Sequence, residues 1–453
     1  MARSSRADPI ARCTHDTPHG GSPRARGAGP AAASAAAEGA RLTVLKILLY
    51  SRSTVGHVSP AVNASATDIV SAVEEDSRSL PAWIYRDPEF FEREQEQIFR
   101  TSWQLVCHVN DIAQRGDFHT FEFLGQSVVT VRGDDGEVRS FHNVCRHRAA
   151  RLLDGPKGQC GRRITCPYHA WTYATDGRLI ALPQRDAFQG LDRQQHGLVA
   201  LEQEILFGFV FVRFAPGAPS VREMAAPYLH ELAEYRLEEL IPQGRVTLRP
   251  RAVNWKNIAD NYADGLHIPV AHPGLSRLFG DGYGIEARPW IDKMWGQLRP
   301  TASSNWSEAR YQRLLPPVAH LSAARQRLWI YFKLWPNLAF DIYPDQVDFM
   351  QFLPISPTET LIREIAYVHP DERREMRAAR YLNWRINRQV NREDTALIER
   401  VQAGMASDSY SVGPLGDNEV CLRNFARRMR STIPEARAPR APLPGWSHRH
   451  HDR

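Results

Sequence analysis

The chain has 453 residues, 43% of them apolar and 24% charged, which suits two or three domains of ordinary globular composition. Its formal charge of +6 is no mark of a polyanion-binding face, because residues 1–67 hold eight Lys/Arg against three Asp/Glu and leave the rest near neutrality. The longest apolar run, residues 42–50, carries Lys46 and falls well short of the ~18 residues of a membrane span, so neither nucleic acid nor membrane is expected as a partner.

Residues 1–66 are rich in Ala, Ser, Gly, Pro and Arg and lack periodicity, which predicts a disordered extension. The acid-poor, Arg-rich composition also suits a transit peptide. A non-structural extension from an upstream start codon is the plainer reading, and the location expected is then cytoplasmic. Residues 68–100 read as helical, with Phe90, Phe91, Ile98 and Phe99 in a charged segment. Residues 103–214 read as short strands. Apolar runs 128–131 and 138–141 flank Gly133-Asp134-Asp135-Gly136, a hairpin signature.

Beyond Pro219 the pattern becomes mixed. Residues 221–240 are amphipathic, 328–353 carry aromatic strand-like runs broken at Pro336 and Pro344, 361–368 add a strand, and 371–405 form a long charged helix. From Ile433, four prolines and a histidine cluster predict a loose tail. The expected class is α+β: a small all-β domain within 67–218, a larger domain of antiparallel sheet and helices over 219–432, and a tail over 433–453.

The six cysteines are too scattered for a disulfide scaffold, but two open short Cys-His hooks. Cys145 and His147 stand as Cys-x-His; after eighteen residues, Cys166 and His169 stand as Cys-x-x-His. Cys160, between the hooks and without a histidine, is a bystander. Four such ligands suit tetrahedral zinc. They equally suit a [2Fe–2S] cluster with both thiolates on one iron and both imidazoles on the other. Alternation of Cys with His, and the aromatic cover of Trp171 and Tyr173, favour the cluster.

A second constellation lies in residues 254–275. Asn261, Asp264 and His267 recur at i, i+3, i+6 along one side of a predicted helix that Pro269 ends or kinks after His267. The break lets His272 turn toward the same metal, while Asp264 can accept the N–H of His267. A mononuclear iron site needs one carboxylate more. Asp394 lies within the stripe Val390, Leu397, Ile398 and Val401 of the long helix, where an ionised acid is costly unless paired or metal-bound. Glu393, at the edge of the stripe, is the second choice.

Cys145-x-His147…Cys166-x2-His169 followed by Asn261-x2-Asp264-x2-His267-x4-His272 resembles the α (large) subunit of Rieske-type non-haem iron oxygenases. The likeness runs over residues 80–430. It implies a Rieske [2Fe–2S] domain, a helix-grip (START-like) catalytic domain and two cofactors: the Rieske cluster and a mononuclear Fe(II). It implies a homotrimer in which Asp264 bridges His267 to the neighbouring chain's cluster ligand His169. The x2 step from Asn261 to Asp264 leans toward branches without a separate β subunit.

The activity implied is that of a terminal oxygenase that takes electrons from a separate flavin/iron–sulfur reductase and uses O₂ to hydroxylate a small organic substrate. No GxGxxG in a βαβ context places a reductase within the chain itself. Phe279, Tyr283, Trp290, Trp295 and Trp306 are candidate pocket walls. They suit an aromatic compound, ranked first, or a choline- or betaine-like quaternary amine, ranked second. The competing class is a Rieske electron carrier or a zinc-binding interaction protein. Neither explains an acid in the apolar stripe of a second domain.

Overall fold

The computed structural model describes residues 76–447. The expected disorder of 1–66 lies outside the described residues. No helix among those described is long and apolar enough to cross a membrane.

The first half is built from short strands in three sheets. β1 (Gln104–His108) pairs with β10 (Phe209–Arg213), and β10 with β9 (Glu202–Leu206). β2 (Asp117–Phe123), β3 (Gln126–Arg132), β4 (Val138–His142) and β5 (Lys157–Gln159) form a second sheet in the order β4-β3-β2-β5. The predicted hairpin is β3–β4, with Gly136 at positive φ in its turn. β6 (Arg163–Thr165), β7 (Thr172–Ala174) and β8 (Leu179–Ala181) make the third. Val129, Val131, Phe141, Ile164 and Tyr173 form a buried cluster shared by the second and third sheets, with Cys145 and Cys166 at its edge.

The second half is one seven-stranded antiparallel sheet in the order β11-β17-β16-β15-β14-β13-β12. Its strands are β11 (Ile241–Arg251), β12 (Tyr283–Ala287), β13 (Ile291–Gln297), β14 (Leu328–Leu334), β15 (Leu338–Ile342), β16 (Val347–Ser356) and β17 (Glu359–Val368). The proline breaks predicted at Pro336 and Pro344 fall in the β14–β15 and β15–β16 turns. Helices Trp255–Ala263, Arg374–Gly404 and Val420–Thr432 accompany this sheet. β11 was not legible as a strand because most of it is exposed and polar.

Across residue 218 the two halves are in contact: Phe209 packs on Phe340 and Tyr367, and Arg363 donates to the carbonyls of Leu105 and Val106. Two expectations need correction. The stretch from Ile433 is no loose tail as far as Ser447. Ile433 and Ala436 are buried, Trp446 packs edge-on against Trp83, and Trp83 Nε1 donates to the carbonyl of Ala438 at 2.7 Å. Its prolines set a short 3₁₀ turn, Pro434–Arg437, and the aromatic rings supply the burial. Finally, Val401 is 46% exposed, so the stripe of the long helix follows Leu382, Ile386, Val390, Asp394 and Ile398, the i+4 course of an α-helix.

Candidate metal centres

The two hooks share one backbone design. Cys145 N–H donates to the carbonyl of Ala150, and the N–H of Ala149 returns to that of Cys145. Cys166 N–H donates to the carbonyl of Trp171, and the N–H of Ala170 returns to that of Cys166. Each hook closes through an alanine in the left-handed region, Ala149 at φ 57° and Ala170 at φ 54°. Alanine's Cβ makes that conformation costly, though less so than a β-branched or bulky side chain would. Both thiols are buried at the base and both imidazoles lie toward the tip, with ring centroids 4.6 Å apart.

Trp171 stacks on His147 at 4.9 Å, and Tyr173 Oη stands 3.3 Å from Cys145 Sγ while accepting the N–H of Arg146. Burial raises the Cys145 thiol's pKa, against the opposing pull of the Tyr173 hydroxyl and the His147 N–H. His147 Nδ1 is buried and has no hydrogen-bond partner. A buried ring nitrogen left without a partner is costly, and a metal bound there removes the cost. The donor set and that nitrogen fit a Rieske cluster. Cys160, expected as a bystander to the hooks, donates to the carbonyl of Gly116.

The second centre sits at a break in the chain. Helix Trp255–Ala263 ends one residue before Asp264, which caps it in an extended conformation. This corrects the expectation of one helix running as far as His267. Pro269 lies instead in the first turn of the short helix Ile268–Ala271, where proline costs least. His267 is the N-cap of that turn and His272 its C-cap, so both rings face one point.

His267 Nε2 and His272 Nε2 are 3.0 Å apart, His272 Nε2 and Asp394 Oδ1 3.0 Å, and His267 Nε2 and Asp394 Oδ1 3.6 Å. Two ligands at right angles, each about 2.1 Å from a metal, stand about 3.0 Å apart. Two of the three spacings meet that value and the third is wider, and the three atoms lie close enough to fit a two-histidine, one-carboxylate iron site. The outer nitrogens are held as well: His267 Nδ1 lies 3.0 Å from Asp264 and His272 Nδ1 2.8 Å from Glu393. Burial lowers the His267 ring's affinity for a proton, but its bonds to Asp264 and Asp394 more than reverse this and raise its pKa to about 9. Three carboxylates around two imidazoles call for positive charge.

Beside this triad lies a chamber of ≈110 Å³. That is several times the ~10–15 Å³ one water needs, so a small organic molecule fits. Asn261, Tyr262, Tyr283, Tyr331, Asp341 and Arg251 are among its walls. Of the five aromatics expected there, only Tyr283 lines it. Phe279 is buried against Trp329, Trp290 lies under Arg428, Trp295 under Lys293, and Trp306 is 61% exposed. Tyr331 and Asp341, missed in the sequence, oppose each other on β14 and β15. Asp341 accepts hydrogen bonds from Tyr262 (2.5 Å) and Tyr343 (3.1 Å), and burial, opposed by those bonds, raises its carboxyl to about 7.

Two family models match the chain: the Rieske [2Fe–2S] domain over residues 102–199, and the ring hydroxylating alpha subunit (catalytic domain) over 223–435. The chain belongs to the Rieske-type non-haem iron oxygenases, as the α subunit, with a [2Fe–2S] cluster and a mononuclear iron as its cofactors. It is 32% identical to the carnitine monooxygenase oxygenase subunit of Escherichia coli (strain K12), over 74% of this chain and 86% of that one. It is 27% identical to the glycine betaine monooxygenase oxygenase subunit of Pseudomonas aeruginosa, over 79% and 89%. A crystal structure of a quaternary ammonium Rieske monooxygenase with L-carnitine superposes with a TM-score of 0.66 at 26% identity, over 80% of this chain and 97% of that one. Naphthalene 1,2-dioxygenase from Rhodococcus sp. shares the fold, with a TM-score of 0.66 at 19% identity.

Proposed function

We propose that this terminal oxygenase hydroxylates a quaternary ammonium compound, which reverses the order of the two substrate readings drawn from the sequence. The observation that carries this is the wall beside the triad: Tyr262, Tyr283 and Tyr331 around Asp341. Tyrosine faces attract a quaternary cation, and a carboxylate with no Lys or Arg partner among the described residues lacks a counter-charge. The names of the similar oxygenase subunits support the same class.

In this reading Cys145, Cys166, His147 and His169 hold the cluster, and His267, His272 and Asp394 hold the iron. When bound, these groups supply single electrons and a centre at which O₂ is reduced. The chain's own residues set the conditions. Asp264 fixes the His267 tautomer through Nδ1–H, and Glu393 does so for His272. The tyrosine wall keeps the substrate head against the triad and limits its contact with water.

Asp264 has a further role in a homotrimer. It lies at a surface where Val270 is 84% exposed, while Tyr168, next to His169, is 56% exposed. Apolar surface at both places supports contact between chains, with Asp264 accepting a hydrogen bond from the partner subunit's His169. Electrons come from a separate reductase.

The test is substrate-dependent O₂ uptake by the reconstituted system with glycine betaine, L-carnitine, choline and naphthalene. Uptake with a quaternary ammonium and none with naphthalene supports the reading; the reverse pattern overturns it. Asp264→Asn should retain both cofactors and lose most of the turnover.

A further inference from the structure

We propose that Asp341 carries protons from solvent into the iron chamber, and that Asp348 and Glu364 resupply it from an outer cavity. This goes beyond the substrate reading and holds for any molecule hydroxylated here.

Hydroxylation consumes protons. For insertion of one oxygen atom the balance is R–H + O₂ + 2e⁻ + 2H⁺ → R–OH + H₂O, with the electrons coming from the reductase. Both protons must reach the chamber. Three carboxyls line it: Asp264, Asp341 and Asp394. Asp264 is bonded to His267, and Asp394 belongs to the triad. The outer ring nitrogens of His267 and His272 are held by Asp264 and Glu393. Burial makes the hydroxyls of Tyr262, Tyr283 and Tyr331 weaker acids than ordinary tyrosine. Asp341 is left as the wall group that can give up a proton and take another.

Its position suits that task. Next to the chamber lies a second cavity of ≈530 Å³, lined on its outer side by the exposed rings of Tyr381 and Trp384. Asp341, Met350, Asn387 and Asn391 line both cavities, and of these four only Asp341 is titratable. Asp348 and Glu364 line the outer cavity and not the chamber. Strand register puts the three acids on one face of the sheet. Asp341 opposes Asp348, and Glu364 opposes Met350, two residues along from Asp348. Directly opposite residues have Cβ atoms about 5 Å apart and diagonal ones about 7–8 Å, gaps that side chains and one water bridge. On its other side Asp341 opposes Tyr331, whose Oη is buried without a partner and can accept a hydrogen bond from the protonated carboxyl.

The surroundings favour a held proton. Asp341 meets the hydroxyls of Tyr262 and Tyr343 and the acids Asp348, Glu364 and Asp394. Among the described residues no Lys or Arg bonds to it, and the nearby Arg249 is taken by Glu364. Burial, opposed by the two hydroxyls, raises its pKa to about 7, so it exchanges protons near neutrality. Burial and then Asp341 raise Asp348 well above the ordinary value. Burial raises Glu364 as well, against the pull of Arg249 and Arg251. A cationic substrate beside Asp341 favours its ionised form, so binding promotes release of the proton.

Two measurements test this. The first is a pH titration of the infrared carbonyl band of protonated carboxyl groups in the iron-loaded protein. A band that titrates near pH 7 in the wild type and is missing in Asp341→Asn is expected; its absence from the wild type overturns the inference. The second is steady-state kinetics of Asp348→Asn, which leaves the chamber wall intact. The kcat should fall about 10-fold, less than the ~10²–10⁴ of a direct proton donor, with KM unchanged. Added imidazole, an external proton donor, should restore part of the loss. An unchanged kcat, a rise in KM alone, or a loss that imidazole does not rescue would each rule out the route. Using whichever substrate supports O₂ uptake keeps this result separate from the quaternary ammonium reading.

Discussion

Glu393 holds His272 from behind, its Oε2 lying 2.8 Å from the ring's Nδ1. The next residue, Asp394, faces the opposite nitrogen of the same ring at 3.0 Å. Consecutive residues on one helix thus grip the two sides of one imidazole, which explains why both acids stood out in the sequence. Their losses should differ in kind. Asp394→Asn should empty the mononuclear site and leave the cluster spectrum intact. Glu393→Gln should keep the iron but weaken it about 10- to 100-fold. Iron titration against a chelator separates the two, and equal loss in both variants would contradict these roles.

Tyr173 is placed to tune the cluster's electron affinity. Its hydroxyl lies 3.3 Å from Cys145 Sγ, and a donor at a sulfur stabilises the reduced, more negative state. Tyr173→Phe should shift the reduction potential to more negative values without loss of cluster. Redox titration followed by EPR reads this directly, and an unchanged potential would remove the hydroxyl from the account.

Lys256 and Glu94 form a fully buried ion pair at 2.7 Å, at the start of the helix that leads to Asp264. Burial raises the carboxyl's pKa and lowers the ammonium's, so each depends on the other for its charge. Lys256→Met alone should cost about 3–5 kcal/mol, since it strands a buried charge. Adding Glu94→Leu should restore a good part of that loss. Chemical denaturation of the single and double variants decides it, and additive losses would contradict the coupling.

Asp341 makes stability depend on pH. Its carboxyl titrates at about 7 in the folded chain against an ordinary 3.8, so the native state binds the proton more tightly than the unfolded one. Stability from this group is therefore present below pH ~4 and is lost as pH rises to about 7. Asp341→Asn removes the dependence. The melting temperature of the variant minus that of the wild type should climb between pH 4 and 7 and level off above. Taking the difference at each pH cancels the titrations common to both proteins. A flat difference would mean that Asp341 is ionised throughout.

Local spacing made the cluster site legible. Cys145 with His147, and Cys166 with His169, are brought together by a single tight turn each, so sequence distance and spatial distance agree. Asp394 was legible for another reason, as a carboxylate on an otherwise apolar helix face. The chamber was not. Tyr331, Asp341 and Arg251 meet only through pairing across a seven-stranded sheet, and no local pattern reveals which strands adjoin. The aromatic residues that follow His272 in sequence looked like a pocket for want of that register, yet most serve the core. Proline misled twice, because its meaning depends on whether a helix is ending or beginning.

The segment after Ile433 gives the molecule a clasp. Trp446 closes on Trp83, and the backbone N–H groups of Gly445 and Ser447 bind the carboxylate of Glu89. Two residues beyond Trp83, Tyr85 donates at 2.6 Å to Asp260, which stands one helical turn before Asp264. Removing the proline-rich end would therefore loosen a latch whose far side lies one helical turn from Asp264.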